Sequence, residues 1–172
     1  MDKARTMLLV LLLLLLTSGA VKADVNFIDP HGSFMFTIPN GWIFQAGESS
    51  ERLLVFYGPE DDQLLYIEYF ADLSLDDPWE FGRRVLKHFS AEYGLRDFEL
   101  IADPELWNLN GIEAAVIEYK YRGSKTRREQ RFFVVIEQVG LNISFSDAEA
   151  SFDHSREEFD LILNSWRWEV DQ

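Results

Sequence analysis

The segment from Ile112 to Ser146 constrains this chain most, because nearly all of it carries strand signals. Within Ile112 to Arg122, the residues Ala115, Ile117, Tyr119 and Tyr121 fall on one side, while Glu118, Lys120 and Arg122 fall on the other. That period of two marks a half-buried strand. Gly123-Ser124 opens a polar connection, and Arg131 to Val139 is a long β-branched and aromatic run. Gly140 is expected to break it, after which Leu141 to Ser146 alternates Ile143 and Phe145 with Asn142, Ser144 and Ser146. Strands joined by connections this short pair antiparallel, since a parallel return needs a crossover of a dozen residues or more.

The same signals recur upstream. Phe34, Phe36 and Ile38 alternate with Met35 and Thr37, and Pro39-Asn40-Gly41 then supplies a missing donor and two residues tolerant of positive φ. Trp42-Ile43-Phe44 restarts extended structure, so "FMFTIPNGW" reads as strand, tight turn, strand. Leu53 to Tyr57 and Leu64 to Phe70 flank a Gly/Pro/Asp cluster and form a hairpin. Asp77, Pro78 and Glu80 suit the N-cap, the first position and the reciprocal capping place of a helix. Phe81, Val85, Phe89 and Tyr93 continue it, and Gly94 is placed to close it. Phe98 to Asn110 is less regular, with a short strand near Phe98 to Ile101 and an Asn110-Gly111 turn. Phe159, Ile162, Leu163 and Trp166 form an i, i+3, i+4, i+7 stripe on a second helix, with Phe152 a heptad earlier. Strands, helix, strands, helix gives an α+β domain with a central antiparallel sheet flanked by helices.

Residues 1–23 have the form of a secretory signal peptide. Lys3 and Arg5 precede an apolar run from Met7 to Leu16, and Val21-Lys22-Ala23 has small-residue cleavage character. The run is about half the ~20 residues a membrane span needs, so cleavage after Ala23 is the reading taken over a retained anchor. The remaining 24–172 form one domain of ordinary size with no cysteine, which fits a bacterial envelope or a lumen. The leader carries Lys3, Arg5 and Lys22 against Asp2, so 24–172 stands two charges below the whole chain's −14. That acidity opposes nucleic-acid binding and adsorption to anionic lipid.

The motif pattern resembles the PsbP-like superfamily, which includes DcrB-like envelope proteins and the nuclear-transport factor Mog. The resemblance runs over nearly all of 33–168. It takes in "FMFTIPNGW", the early hairpin, the helix from Pro78, "LNGIEAAVIEYKY", "FFVVIEQVGLNISFSDA" and the closing "FDLILNSWRW". It implies a central antiparallel sheet flanked by helices and a non-catalytic accessory role, docking on a larger assembly. The chain departs from cyanobacterial members in having no lipid-carrying Cys.

Candidate sites are few. No G-x-S-x-G elbow is present, and His31, His88 and His154 occupy unrelated contexts. Glu60-Asp61-Asp62 and Asp72, Asp76, Asp77 and Glu80 are acidic clusters without calcium-loop spacing. Turn and capping chemistry accounts for them, so no cofactor is expected, and a weak Ca²⁺ site stays open. Arg122, Lys125, Arg127, Arg128 and Arg131 are expected at the connection between two long strands, projecting from one end of the domain. They serve there either as a docking patch for an acidic partner or phosphate headgroups, or as a solvated hairpin tip or partners for the protein's own acids. Trp107 is the aromatic expected at the surface, where it lines a groove. Asn142-Ile143-Ser144 matches a glycosylation sequon on the outward side of a strand. The reading is an exported docking protein, with a small-ligand-binding module as the alternative.

Overall fold

The computed structural model describes residues 24–60, 62–71 and 73–169. The leader read at 1–23, and Asp61 and Asp72 of the acidic clusters, lie outside the described residues. In chain order the elements are β1 (Val25–Ile28), β2 (Phe34–Ile38), β3 (Ile43–Phe44), β4 (Leu53–Tyr57), β5 (Leu64–Phe70) and helix α1 (Pro78–Phe89). Then follow β6 (Glu99–Leu100), β7 (Glu105–Leu109), β8 (Ile112–Arg122), β9 (Thr126–Ile136), β10 (Val139–Ala148), α2 (Phe152–Ser165) and β11 (Arg167–Trp168). The fold is α+β, with every strand pairing antiparallel.

The large sheet has the order β3-β4-β5-β10-β9-β8-β6, with β7 also paired to β8. The meander read from Ile112 onward is its centre, with Tyr119 opposite Glu129 and Ile143 opposite Phe132. A second sheet, β1-β2-β11, was not legible beforehand. "FMFTIPNGW" does contain strand, turn and strand, and Gly41 takes a φ of 95°. The turn passes the chain from one sheet to the other, however, rather than closing a hairpin, because β2 pairs β1 and β11 while β3 pairs β4.

Two further boundaries differ from the sequence reading. The helix from Pro78 stops at Phe89, and Tyr93 lies beyond it with 81% of its surface exposed. Its N-terminus is as read, with Asp77 accepting from the Trp79 amide at 2.8 Å, but Glu80 pairs with Arg84 at 3.1 Å instead of returning to the cap. Gly140 does not break the chain. The reversal uses Glu137 and Gln138, at φ 47° and 68°, and Gly140 lies inside β10. A Cβ there would come within 2.9 Å of Leu73 Cδ2 and 3.0 Å of Phe81 Cε1. The glycine is therefore a point of close helix-to-sheet approach, a reason for Gly in a strand as sound as a turn.

The large sheet is covered on both sides. One face meets β2 and α2 in an aromatic core of Phe34, Phe36, Phe132, Phe145, Phe159 and Trp166, all buried. Phe145 stacks on Phe159 at 4.7 Å, and Trp166 on Phe34 at 4.4 Å. Asn110, at φ 51° in the β7–β8 turn, donates to the Leu163 and Trp166 carbonyls at 3.0 and 2.8 Å. The turn thus supplies partners for the exposed carbonyls at the C-terminus of α2. The opposite face holds α1 over Ala115, Ile117, Tyr119 and Phe133 through Phe81.

Candidate functional site: a hollow beside the first helix

Helix α1 covers only part of its face, and a hollow of about 440 Å³ opens along its flank. Phe81, Val85 and Phe89 form the helical wall, with Phe70 and Leu73 across from them. The floor is polar: Glu68 from β5, Asn142 from β10 and Arg131 from β9. These three strands are neighbours in the sheet, and Asn142 lies opposite Glu68 in the register.

The floor belongs to one connected network. The Arg131 Nε donates to Glu129 at 2.6 Å and to the Tyr119 hydroxyl at 2.9 Å, and its Nη1 lies 3.5 Å from Glu68. Its guanidinium carbon sits 4.7 Å from the centre of the Phe89 ring, an Arg-on-aromatic stack. Ser144 donates to Glu129, and Asn142 Nδ2 donates to Glu68. The Arg131 and Glu129 side chains are 12% and 5% exposed, so their charges survive burial by pairing with each other. Burial alone would pull the Arg131 pKa down, but Glu129, Tyr119 and Glu68 outweigh it and leave the pKa raised. Burial, with the Glu129 charge beside it, holds the Tyr119 hydroxyl neutral well above the usual tyrosine range.

The five basic residues do not form a projecting patch, and this corrects the expected placement. Strand β9 begins at Thr126, so Arg127, Arg128 and Arg131 lie on a strand rather than in a connection. Alternation then sends them to opposite faces. Arg128 lies under α2, pairing with Glu118 and with Asp153 at 2.8 Å and stacking on Phe152 at 4.7 Å. Arg127 and Arg131 face the α1 side, with Arg127 donating to the Asp62 carbonyl at 2.7 Å and to Ser146 at 2.9 Å. Lys125 pairs with Asp62, while Arg122 has no carboxylate partner among the described residues. Lys125, Arg127, Arg128 and Arg131 instead pair with the protein's own acids.

Trp107 is 37% exposed, as expected, but it sits on a regular strand, β7, opposite Ala114. Its ring packs edge-on to Phe132 at 5.5 Å, and it is not part of the hollow beside α1. Asn142 is 1% exposed, so the outward sequon position is corrected as well: the side chain is buried on the α1 side of the sheet and tied to Glu68. The histidines lie apart, His31 in the β1–β2 turn, His88 on α1 at the rim of the hollow and His154 in the first turn of α2. Among the described residues no three His, Asp or Glu side chains converge as metal ligands. No helix among them is long and apolar enough to cross a membrane.

The sequence reading missed the hollow. Its signal was the polar residues Glu68, Asn142, Ser144 and Glu129 alternating with core residues on neighbouring strands, of which Asn142 and Ser144 were expected to face outward.

No protein-family model matches this chain, and no curated protein matches it in sequence. Solved structures do resemble it. Cyanobacterial PsbP (CyanoP) of Synechocystis sp. PCC 6803 is 24% identical over 88% of this chain and 97% of its own, with a TM-score of 0.64. LpqN of Mycobacterium tuberculosis, involved in cell envelope biogenesis, is 14% identical over 84% and 89%, at 0.60. The Ran-binding protein Mog1p of Saccharomyces cerevisiae is 11% identical over 86% and 96%, at 0.59. This chain therefore has the fold shared by PsbP and Mog1p, an antiparallel sheet between helices.

Proposed function

We propose that this chain is an exported, non-catalytic accessory protein that binds another component of a cell envelope or lumen, with the hollow beside α1 as its binding surface. The observation that carries the reading is the hollow's construction. Its apolar wall stands on a floor fixed by the Arg131 network, so the surface is preformed before anything binds. The fold neighbours support the accessory role, one being Ran-binding and another involved in cell envelope biogenesis. The signal-like residues 1–23 support export.

Affinity capture from the source organism's envelope extract tests this, with native protein beside a Val85→Trp variant that fills the hollow. Retention of a partner by native protein and its loss from the variant is the expected result. Equal capture by both forms overturns the hollow as the surface. It moves attention to the β8–β9 turn, where an Arg122→Glu, Lys125→Glu double variant then decides. A small-ligand-binding module is the second reading, favoured by a volume inside the ~300–1,000 Å³ usual for ligand pockets. Ligand-induced thermal stabilisation without any captured protein is its expected signature.

A further inference from the structure

The floor of the hollow is not electrically balanced. Arg131 is the cation of this floor; its Nε is taken by Glu129 and Tyr119, and its face is stacked on Phe89. Glu129 neutralises it from 2.6 Å. Among the described residues Glu68 is then the surplus charge, held by the longer 3.5 Å approach of Nη1 and by the neutral Asn142 amide. It is also the accessible one, its side chain 38% exposed against 5% for Glu129. At the rim, Arg84 is engaged by Glu80 at 3.1 Å.

A second observation points the same way. Asn142 lines the hollow, is 1% exposed, and its Oδ1 has no hydrogen-bond partner. Rotating the amide would not help, because Oδ1 would then face the Glu68 carboxylate. An acceptor left without a donor costs about 1–3 kcal/mol, a deficit that a ligand N–H can relieve. The floor thus offers one carboxylate and one acceptor without a donor, beside an apolar wall of Phe70, Phe81 and Val85.

Resting on the reading that this hollow is the binding surface, we propose that it takes a ligand carrying one cationic nitrogen on an apolar stem, the chemistry of an alkylammonium ion or a lysine side chain. The ammonium sits between Glu68 and the Asn142 carbonyl, and the stem lies along Phe81, Val85 and Phe89. The net negative charge of the whole chain favours the approach of such a ligand.

Calorimetric titration of the purified protein with hexylammonium, hexanol and hexanoate tests the proposal, with amide NMR shifts locating the site. Hexylammonium is expected to bind at the hollow about tenfold or more tightly than hexanoate, a difference equal to about 1.4 kcal/mol. Glu68→Gln keeps an acceptor for Asn142 and is expected to collapse that preference while hexanol binding persists. A lysine-containing peptide beside its norleucine counterpart forms the second arm. Binding of the lysine peptide assigns a protein source, and binding of hexylammonium alone assigns a free amine. Hollow-localised binding of all three probes with no charge preference, or a preference unchanged in Glu68→Gln, overturns this inference and leaves the hollow as the surface. No binding of any probe at the hollow overturns both.

Discussion

The two faces of the large sheet solve opposite problems with the same strands. Toward α2, Phe132, Phe145, Phe159 and Trp166 interlock in a dry aromatic core whose stability comes from area and close packing. Toward α1, the same strands present Glu68, Glu129, Arg131, Asn142 and Ser144, and stability there depends on each polar group finding a partner. The contrast shows in the two buried side-chain polar atoms that have no partner among the described residues. Trp166 Nε1 is enclosed by core rings, whereas Asn142 Oδ1 sits at the floor of a hollow. A face built for packing leaves no room for a ligand, and a face built from a polar network under an incomplete cover does.

Mutations can break this contrast. The largest effect is expected from Phe145→Ala on the aromatic face, a loss of about 4 kcal/mol by urea denaturation from transfer and cavity terms together. Phe145 stands between Phe152 and Phe159, so neither ring can close the gap alone.

On the network face, Arg131→Met is expected to cost about 3 kcal/mol, because Glu129 is left buried without a counter-charge. Adding Glu129→Leu should then recover most of the loss, as replacing a whole buried pair often does. No such rescue is available to Phe145→Ala. A double variant no more stable than Arg131→Met alone would show that the network does more than satisfy its own charges.

Gly140→Ala sharpens the comparison at the helix-to-sheet contact. The added methyl meets Leu73 and Phe81, and a cost of about 2 kcal/mol follows from overpacking. The displacement of α1 should also change the hollow, so ligand or partner binding is expected to fall with stability. The smallest effect belongs to Asp77→Ala, about 1 kcal/mol from the lost N-cap, confined to α1 when read by hydrogen exchange.

Much of the architecture was legible in local pattern. Alternation gave the β8–β9–β10 meander, the turn cluster gave the β4–β5 hairpin, and the Phe152, Phe159, Ile162, Leu163 stripe gave the buried face of α2. The short strands β1, β7 and β11 were not. Each is recognised only through its partner, as when Arg167 and Trp168 pair with Met35 and Phe34 across most of the chain. The candidate site was less legible still. Arg122 to Arg131 form a cluster along the chain but not in space, because successive strand residues point to opposite faces.

The sequence by itself determined the class of fold, since period-two and helical periodicities fix which side of each element must leave water, and short connections fix how strands pair. Only the tertiary structure decided the site. Glu68, Arg131 and Asn142 lie on three strands and meet because β5, β10 and β9 are neighbours, a fact set by strand order and absent from any local pattern. Burial turned those residues from solvated side chains into a charged floor, and burial is a property of what packs above a strand rather than of the strand.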